Sequence, residues 1–224
     1  MSPINLISTF RRVFKDAGPT TLEHEVNAHQ DKQSLYGSRC SVLVIDVSPS
    51  MCFTDWKPSR LKAAQEASKA FVKRLAAEDP DAKVAIVIYG KKAKLVCHFT
   101  AAAMYETLAR DIDSVQVIDS TNIAAGLEVA CSILGGAHGH RQVVLLTDGC
   151  HNTGPNPRFT SDRLREVAVV ECIGIGGTPN DVDEALLKYI ASPYPDGTKR
   201  YRWIGDKERL VQHFHNLAGR IVRV

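Results

Sequence analysis

Residues 40–51 read Cys-Ser-Val-Leu-Val-Ile-Asp-Val-Ser-Pro-Ser-Met, and this stretch restricts the fold more than any other in the chain. A run of aliphatic and β-branched residues stops at Asp46, and Ser48 and Ser50 follow at alternating positions. That pattern belongs to a buried strand running into an oxygen-rich loop. Hard divalent cations take oxygen ligands, and Mg²⁺ commonly keeps waters in place of a full protein cage. Asp46, Ser48 and Ser50 offer one carboxylate and two hydroxyls, with Pro49 stiffening the turn between them. Alone the motif is a weak signal, because aspartate and serine are common residues.

Downstream, strand-like and helix-like segments alternate. Pro58 or Ser59 opens a helix through about Ala77, with Leu61, Ala64, Phe71 and Leu75 on one side and Lys62, Glu66 and Lys69 on the other. Residues 83–89 are almost continuously apolar, as suits the interior of a parallel sheet covered on both faces. Gly90-Lys91-Lys92 leaves no room for a helix before the strand over 94–99, so the two form a hairpin, and the second is an antiparallel edge guarded by lysines. Helices are expected over 101–112, 123–134, 161–167, 181–190 and 206–222, and strands over 142–146, 169–175 and 200–204. Residues 115–118 are a short apolar passage, and residues 150–159 a long irregular loop. The expected fold is doubly wound, Rossmann-like α/β: a mostly parallel six-stranded sheet with one antiparallel edge strand and helices on both faces. Sites in this class lie at the carboxyl ends of strands where the winding reverses. Asp46 and Asp148 both end strands, and Thr121 opens a helix from the same side.

Composition narrows the function classes. Of 224 residues, 44% are hydrophobic and 24% charged, enough for a full core. A net charge of +3, from 28 basic and 25 acidic residues, lacks the basic stripe that nucleic acid requires. No apolar run is long enough for a transmembrane segment, and the first residues lack the charged start and apolar core of a signal peptide. Several of the six cysteines sit in apolar strand or helix patterns and read as reduced, which makes the expected location cytoplasmic. Residues 1–38 stand apart from a domain over 39–224. Ile4, Ile7, Phe10 and Phe14 recur at helical spacing, so a helix over 4–14 offers a docking face for this domain, a partner helix or an anionic membrane surface, and a polar arm follows it.

Taken together, Asp46, Ser48, Ser50, Thr121 and the turn Thr147-Asp148-Gly149 resemble the metal-ion-dependent adhesion site (MIDAS) of the von Willebrand factor type A (vWA) domain family, with the likeness running from about Arg39 to Val224. The resemblance implies that Ser48, Ser50 and Thr121 ligate Mg²⁺, or Mn²⁺ or Ca²⁺ in its place, through their hydroxyls. Asp46 and Asp148 then bind directly or through water. It further implies an electron-poor cation that an Asp or Glu of a partner protein completes. The family frequently has glycine where Pro49 stands; proline fixes φ at about −65° and removes no ligand. Asp55, Asn122, His151 and Asn152 are the expected partner-binding rim. By the same likeness the chain is an intracellular adaptor, similar to bacterial members that serve as subunits in stress, chelatase-like or ATPase-associated systems.

The sequence admits other readings. A metal-dependent hydrolase would use Asp46 or Asp148 as base for a water at the same site, although an enzyme is not the expectation. In a scaffold subunit the metal would only hold three loops together. Cys52, Cys150 and His151 approach the same rim without matching a compact zinc motif, and Cys150 is a candidate reactive thiol. His213 and His215 face different directions on one helix and read as surface or packing residues.

Overall fold

The structure, a computed structural model, describes residues 39–220. The expected helix over 4–14 and the polar arm to residue 38 lie outside the described residues, whereas the closing helix expected to reach Val222 stops at Ala218, where Gly219 follows as its cap.

Six strands form one sheet: β1 (Arg39–Asp46), β2 (Lys83–Tyr89), β3 (Ala93–Ala101), β4 (His140–Thr147), β5 (Val169–Ile175) and β6 (Tyr201–Ile204). Their spatial order is β3-β2-β1-β4-β5-β6, and β3 alone runs antiparallel to its neighbour. The lysine-bearing hairpin therefore sits at the edge, as its short connection requires. The winding reverses between β1 and β4, where open α/β sheets leave a crevice beyond the strand ends. Register pairs Ile45 with Leu146 and Asp46 with Tyr89, so the polar residues that end these strands emerge at one edge.

Among the described residues six α-helices cover the sheet: α1 (Arg60–Glu78), α2 (Tyr105–Asp113), α3 (Ile123–Leu134), α4 (Pro157–Val167), α5 (Glu184–Ile190) and α6 (Lys207–Ala218). Side chains alternate across a strand, so β1 feeds both layers. Leu43 and Ile45 pack with Phe71 of α1, Leu108 of α2 and Phe214 of α6, while Val42 and Val44 pack with Leu127 of α3, Leu164 of α4 and Leu187 of α5. Phe71 and Phe214 meet edge to face with centroids 6.4 Å apart. Burying one such side chain contributes about 1.5–3 kcal/mol.

Three helix starts differ from the sequence expectation by more than two residues, each for a local reason. The helix expected from residue 101 starts at Tyr105, because β3 continues to Ala101 and the Ala102 N–H then donates to the Ala82 carbonyl at 2.7 Å. Helix α4 starts four residues early, at Pro157, a residue suited to a first turn, with Asn156 Oδ1 accepting from the Arg158 N–H at 3.0 Å. The helix expected over 181–190 divides into a 3₁₀ turn (Pro179–Asp181) and α5, which Asp183 caps by accepting from the Leu186 N–H.

Gly126 lets α3 lie close against the sheet. A Cβ there would come within 2.8 Å of the Tyr89 ring and 2.9 Å of Val44. Alanine would gain about 1 kcal/mol in helix propensity, but wedging it into a packed core costs about 1–3 kcal/mol. We expect Gly126→Ala to lower stability in urea denaturation by up to about 2 kcal/mol; a stabilised variant would show that the layer yields freely.

Candidate metal centre

The first loop is built on β1. Ser48 has φ −65° and ψ 163°, and Pro49 opens a 3₁₀ turn (Pro49–Cys52) in which the Met51 N–H donates to the Ser48 carbonyl at 3.0 Å. Proline suits that first position because no partner is needed for its nitrogen, and fully buried Met51 anchors the turn. Asp46 is fully buried and meets three donors. The Ser48 N–H donates to Oδ1 at 2.8 Å, while the Thr147 hydroxyl and Tyr89 OH donate to Oδ2 at 2.6 and 3.4 Å. Burial pushes the Asp46 carboxyl up to about 6; the Thr147 hydrogen bond opposes this, and the neighbouring charge of Asp148 adds to it.

The second loop is held by its asparagine. Asn122 donates through its side chain to the Lys91 carbonyl at 3.1 Å and caps α3 by accepting from the Ala125 N–H at 3.1 Å. Its N–H donates to the Gly90 carbonyl at 2.9 Å. Thr121, 3% exposed, is clamped to the third loop by two bonds: its N–H donates to Asn152 Oδ1, and the Asn152 N–H donates to its carbonyl, both at 3.0 Å. His151 Nδ1 accepts from the Ile123 N–H at 3.2 Å.

In the third loop Asp148 is 2% exposed, and burial raises its carboxyl above the usual range against the pull of Ser50 and Arg60. Ser50 Oγ donates to Asp148 Oδ1 at 2.7 Å and lies 3.1 Å from Ser48 Oγ. A Cβ on Gly149 would stand 3.6 Å from Thr121 Oγ1 and 3.8 Å from Ser50 Oγ. Hydroxyls of the first and second loops thus approach Gly149 of the third.

Of the residues expected at the rim, Asn122 and His151 are engaged with backbone groups, Asn152 is exposed but bound to Thr121, and Asp55 is tied to Arg60. Arg60 is the residue that the sequence reading missed. It is 5% exposed, and its guanidinium reaches Asp55 at 2.6 Å, Asp148 at 3.1 Å and Asp181 at 3.6 Å. Its position was a signal: a cation in the first turn of a helix opposes the helix dipole, so something nearby has to compensate it. Of the side-chain donors to Asp46, Tyr89 was legible as a strand residue only, and Thr147 only as the residue before Asp148 in its turn.

All six cysteines are free, and among the described residues no group of three or more His, Cys, Asp and Glu gathers as a metal site. Cys52, Cys150 and His151 therefore form no zinc cluster. Burial, and the nearby charge of Asp183, raise the Cys150 thiol, the opposite of what a reactive thiolate requires. His213 is half-buried, and burial beside Arg202 and Arg220 pushes its imidazole down to about 4.

Asp46 makes the centre sensitive to pH. Its folded value of about 6 lies above the ordinary carboxylate value of about 3.9, so the native state keeps a proton that the unfolded chain releases. The resulting stability is complete below about pH 4 and is lost as pH rises through about 6, a change of about 3 kcal/mol. In chelator, Asp46→Asn should therefore be more stable than wild type at pH 8 by about 2–3 kcal/mol and equal to it near pH 4. Urea titrations at the two pH values check this, and equal stability at both would contradict it.

Residues 41–151 match the von Willebrand factor type A domain family. A "UPF0353 protein" of Mycolicibacterium gilvum is 32% identical over 232 residues, covering 92% of this chain and 64% of that protein. The chain thus spans less than two thirds of that relative's length. Among solved structures, a von Willebrand factor type A protein from Catenulispora acidiphila superposes with a TM-score of 0.70 at 22% identity, over 82% of this chain and 42% of that one. The mussel byssus proximal thread matrix protein 1, with a zinc-occupied MIDAS motif, does so with a TM-score of 0.66 at 21% identity, over 82% and 45%. The cytoplasmic expectation is corrected by the proteins that share this fold. Besides the byssus protein, they include a minor pilin of Streptococcus sanguinis, a pilus adhesin of Lactobacillus rhamnosus GG and an aerotolerance-related membrane protein of Bacteroides fragilis. Free cysteines do not outweigh that company. Among the described residues no helix is long and apolar enough to cross a membrane. Residues 41–151 are thus similar in sequence to the von Willebrand factor type A domain family, and the described residues share the fold of a solved protein of that type.

Proposed function

We propose that this domain binds a divalent cation through Ser48, Ser50 and Thr121, with Asp46 and Asp148 behind them, and offers it to an Asp or Glu of a partner protein. The observation that carries the reading is the approach of three hydroxyls and two carboxylates from three loops at the winding reversal. Ser48 Oγ and Ser50 Oγ are 3.1 Å apart, and neighbouring ligands of an octahedral Mg²⁺ stand about 3 Å apart. The donor set fits a hard cation, since every candidate ligand is an oxygen. Mg²⁺ is therefore favoured over the zinc seen in the byssus protein, whose occupied site supports divalent binding in general.

When bound, the cation supplies a Lewis-acidic point charge for an incoming carboxylate. Asp46 and Asp148 each accept hydrogen bonds on both oxygens, so neither stands ready as a base for hydrolysis. This supports binding in preference to turnover, as do the adhesin and pilin that share the fold. Phe53 and Ile118, exposed at 56% and 57%, give the partner an apolar margin close to the first loop. Phe53 lies in the ion-paired Arg60 neighbourhood, and the Ile118 N–H donates to the Val47 carbonyl at 2.8 Å.

Isothermal titration with Mg²⁺ and Mn²⁺ tests the reading. One equivalent should bind wild type, and Ser50→Ala and Asp148→Ala should weaken binding at least about tenfold, roughly 1.4 kcal/mol. A wild-type protein that binds neither ion would overturn it.

A further inference from the structure

Arg60 has no place in the metal reading, yet it is built into the centre. It is the first residue of α1, where the helix dipole disfavours a cation, and it is almost fully enclosed. Burying a charge is costly unless it is paired and hydrogen-bonded. Three carboxylates from three loops compensate this one. Nε donates to both oxygens of Asp55 at 3.0 and 3.1 Å, and Nη2 donates to Asp55 Oδ2 at 2.6 Å. Nη2 also stands 3.6 Å from Asp181 Oδ2, and the guanidinium carbon lies 5.2 Å from the Phe53 ring centroid. These contacts aim the remaining arm, Nη1, at Asp148 Oδ2 at 3.1 Å.

The consequence falls on Asp148. Its Oδ1 already accepts from Ser50 and its Oδ2 accepts from Arg60. A carboxylate drawn to a guanidinium shares its lone pairs and its charge with it. Resting on the metal reading above, we propose that Arg60 is a positioning residue: a fixed internal counter-charge that withholds Asp148 from direct coordination. The cation is then held by neutral hydroxyls, more weakly than a carboxylate would hold it, and keeps its attraction for a partner's acid. The fork is specified by Asp55 and Asp181, which is why a rigid guanidinium occupies the position and a flexible ammonium would not serve equally.

Mn²⁺ is a suitable probe, with affinity read by titration and bound waters counted by water-proton relaxation. Arg60→Gln should bind Mn²⁺ about tenfold more tightly than wild type, because one opposing charge is gone. It should also lose one bound water as Asp148 moves onto the ion. Arg60→Lys keeps the charge without the fork and should shift both readouts in the same direction by less; it carries the test if thermal melting shows that Arg60→Gln does not fold. The tightening should persist in Arg60→Gln combined with Asp55→Asn and Asp181→Asn. If it vanishes there, the ion was captured by those two acids, and the proposal fails. Unchanged or weaker binding with unchanged hydration in the folded single variants also overturns it, while leaving the metal reading intact. A wild type that binds no Mn²⁺ removes both.

Discussion

The parallel pairing of β1 with β4 is the constraint on which the upper edge of the molecule depends. Seven consecutive residue pairs from Arg39↔His140 to Ile45↔Leu146 fix the register. A slip of one position would turn every side chain of the strand to the other face. Because β1 is central and buried on both faces, it cannot slip without exposing one of two hydrophobic layers. Asp46 and Asp148 are therefore brought to one crevice by core packing, with no contribution required from the residues of the crevice itself.

What the core fixes, the polar groups of the loops tune. Asp46 is charged only against the cost of burial, and its three donors offset part of that cost. Asp148 stands beside it and repels it. A region that gathers acids away from water gives up stability in the metal-free protein at neutral pH, and a bound cation would return it. Arg60 stands in the same field with the opposite sign. It neutralises part of the acid cluster without occupying the space among the hydroxyls, so the loops are held in place by a charge that belongs to the chain.

Clamps between loops complete the arrangement. Asn152 and Thr121 exchange two hydrogen bonds, His151 accepts from the start of α3, and Asn122 ties that start to the β2–β3 hairpin. Side chains that look from their sequence position like a free polar margin are thus occupied in shaping the second and third loops. Near the first loop Phe53 and Ile118 are exposed apolar side chains.

The sequence by itself determined the alternation of strands and helices, the antiparallel edge and the five oxygen-bearing residues at strand and helix ends. These are local properties: apolar period, chain length between segments and the residue types that end a strand. Helix starts at Tyr105 and Pro157 were less legible, because a strand extension and an asparagine cap decided them. Only the tertiary structure showed that Arg60 of α1 reaches Asp148, 88 positions away, and that the Thr147 hydroxyl crosses to Asp46, 101 positions away. Such pairings have no period and no spacing, since they arise where the packing of one layer happens to bring two loop residues together. The proteins that share the fold also overturned the cytoplasmic expectation. Cysteine usage reports on disulfide bonding, and a protein with a sufficient core can do without it in any compartment.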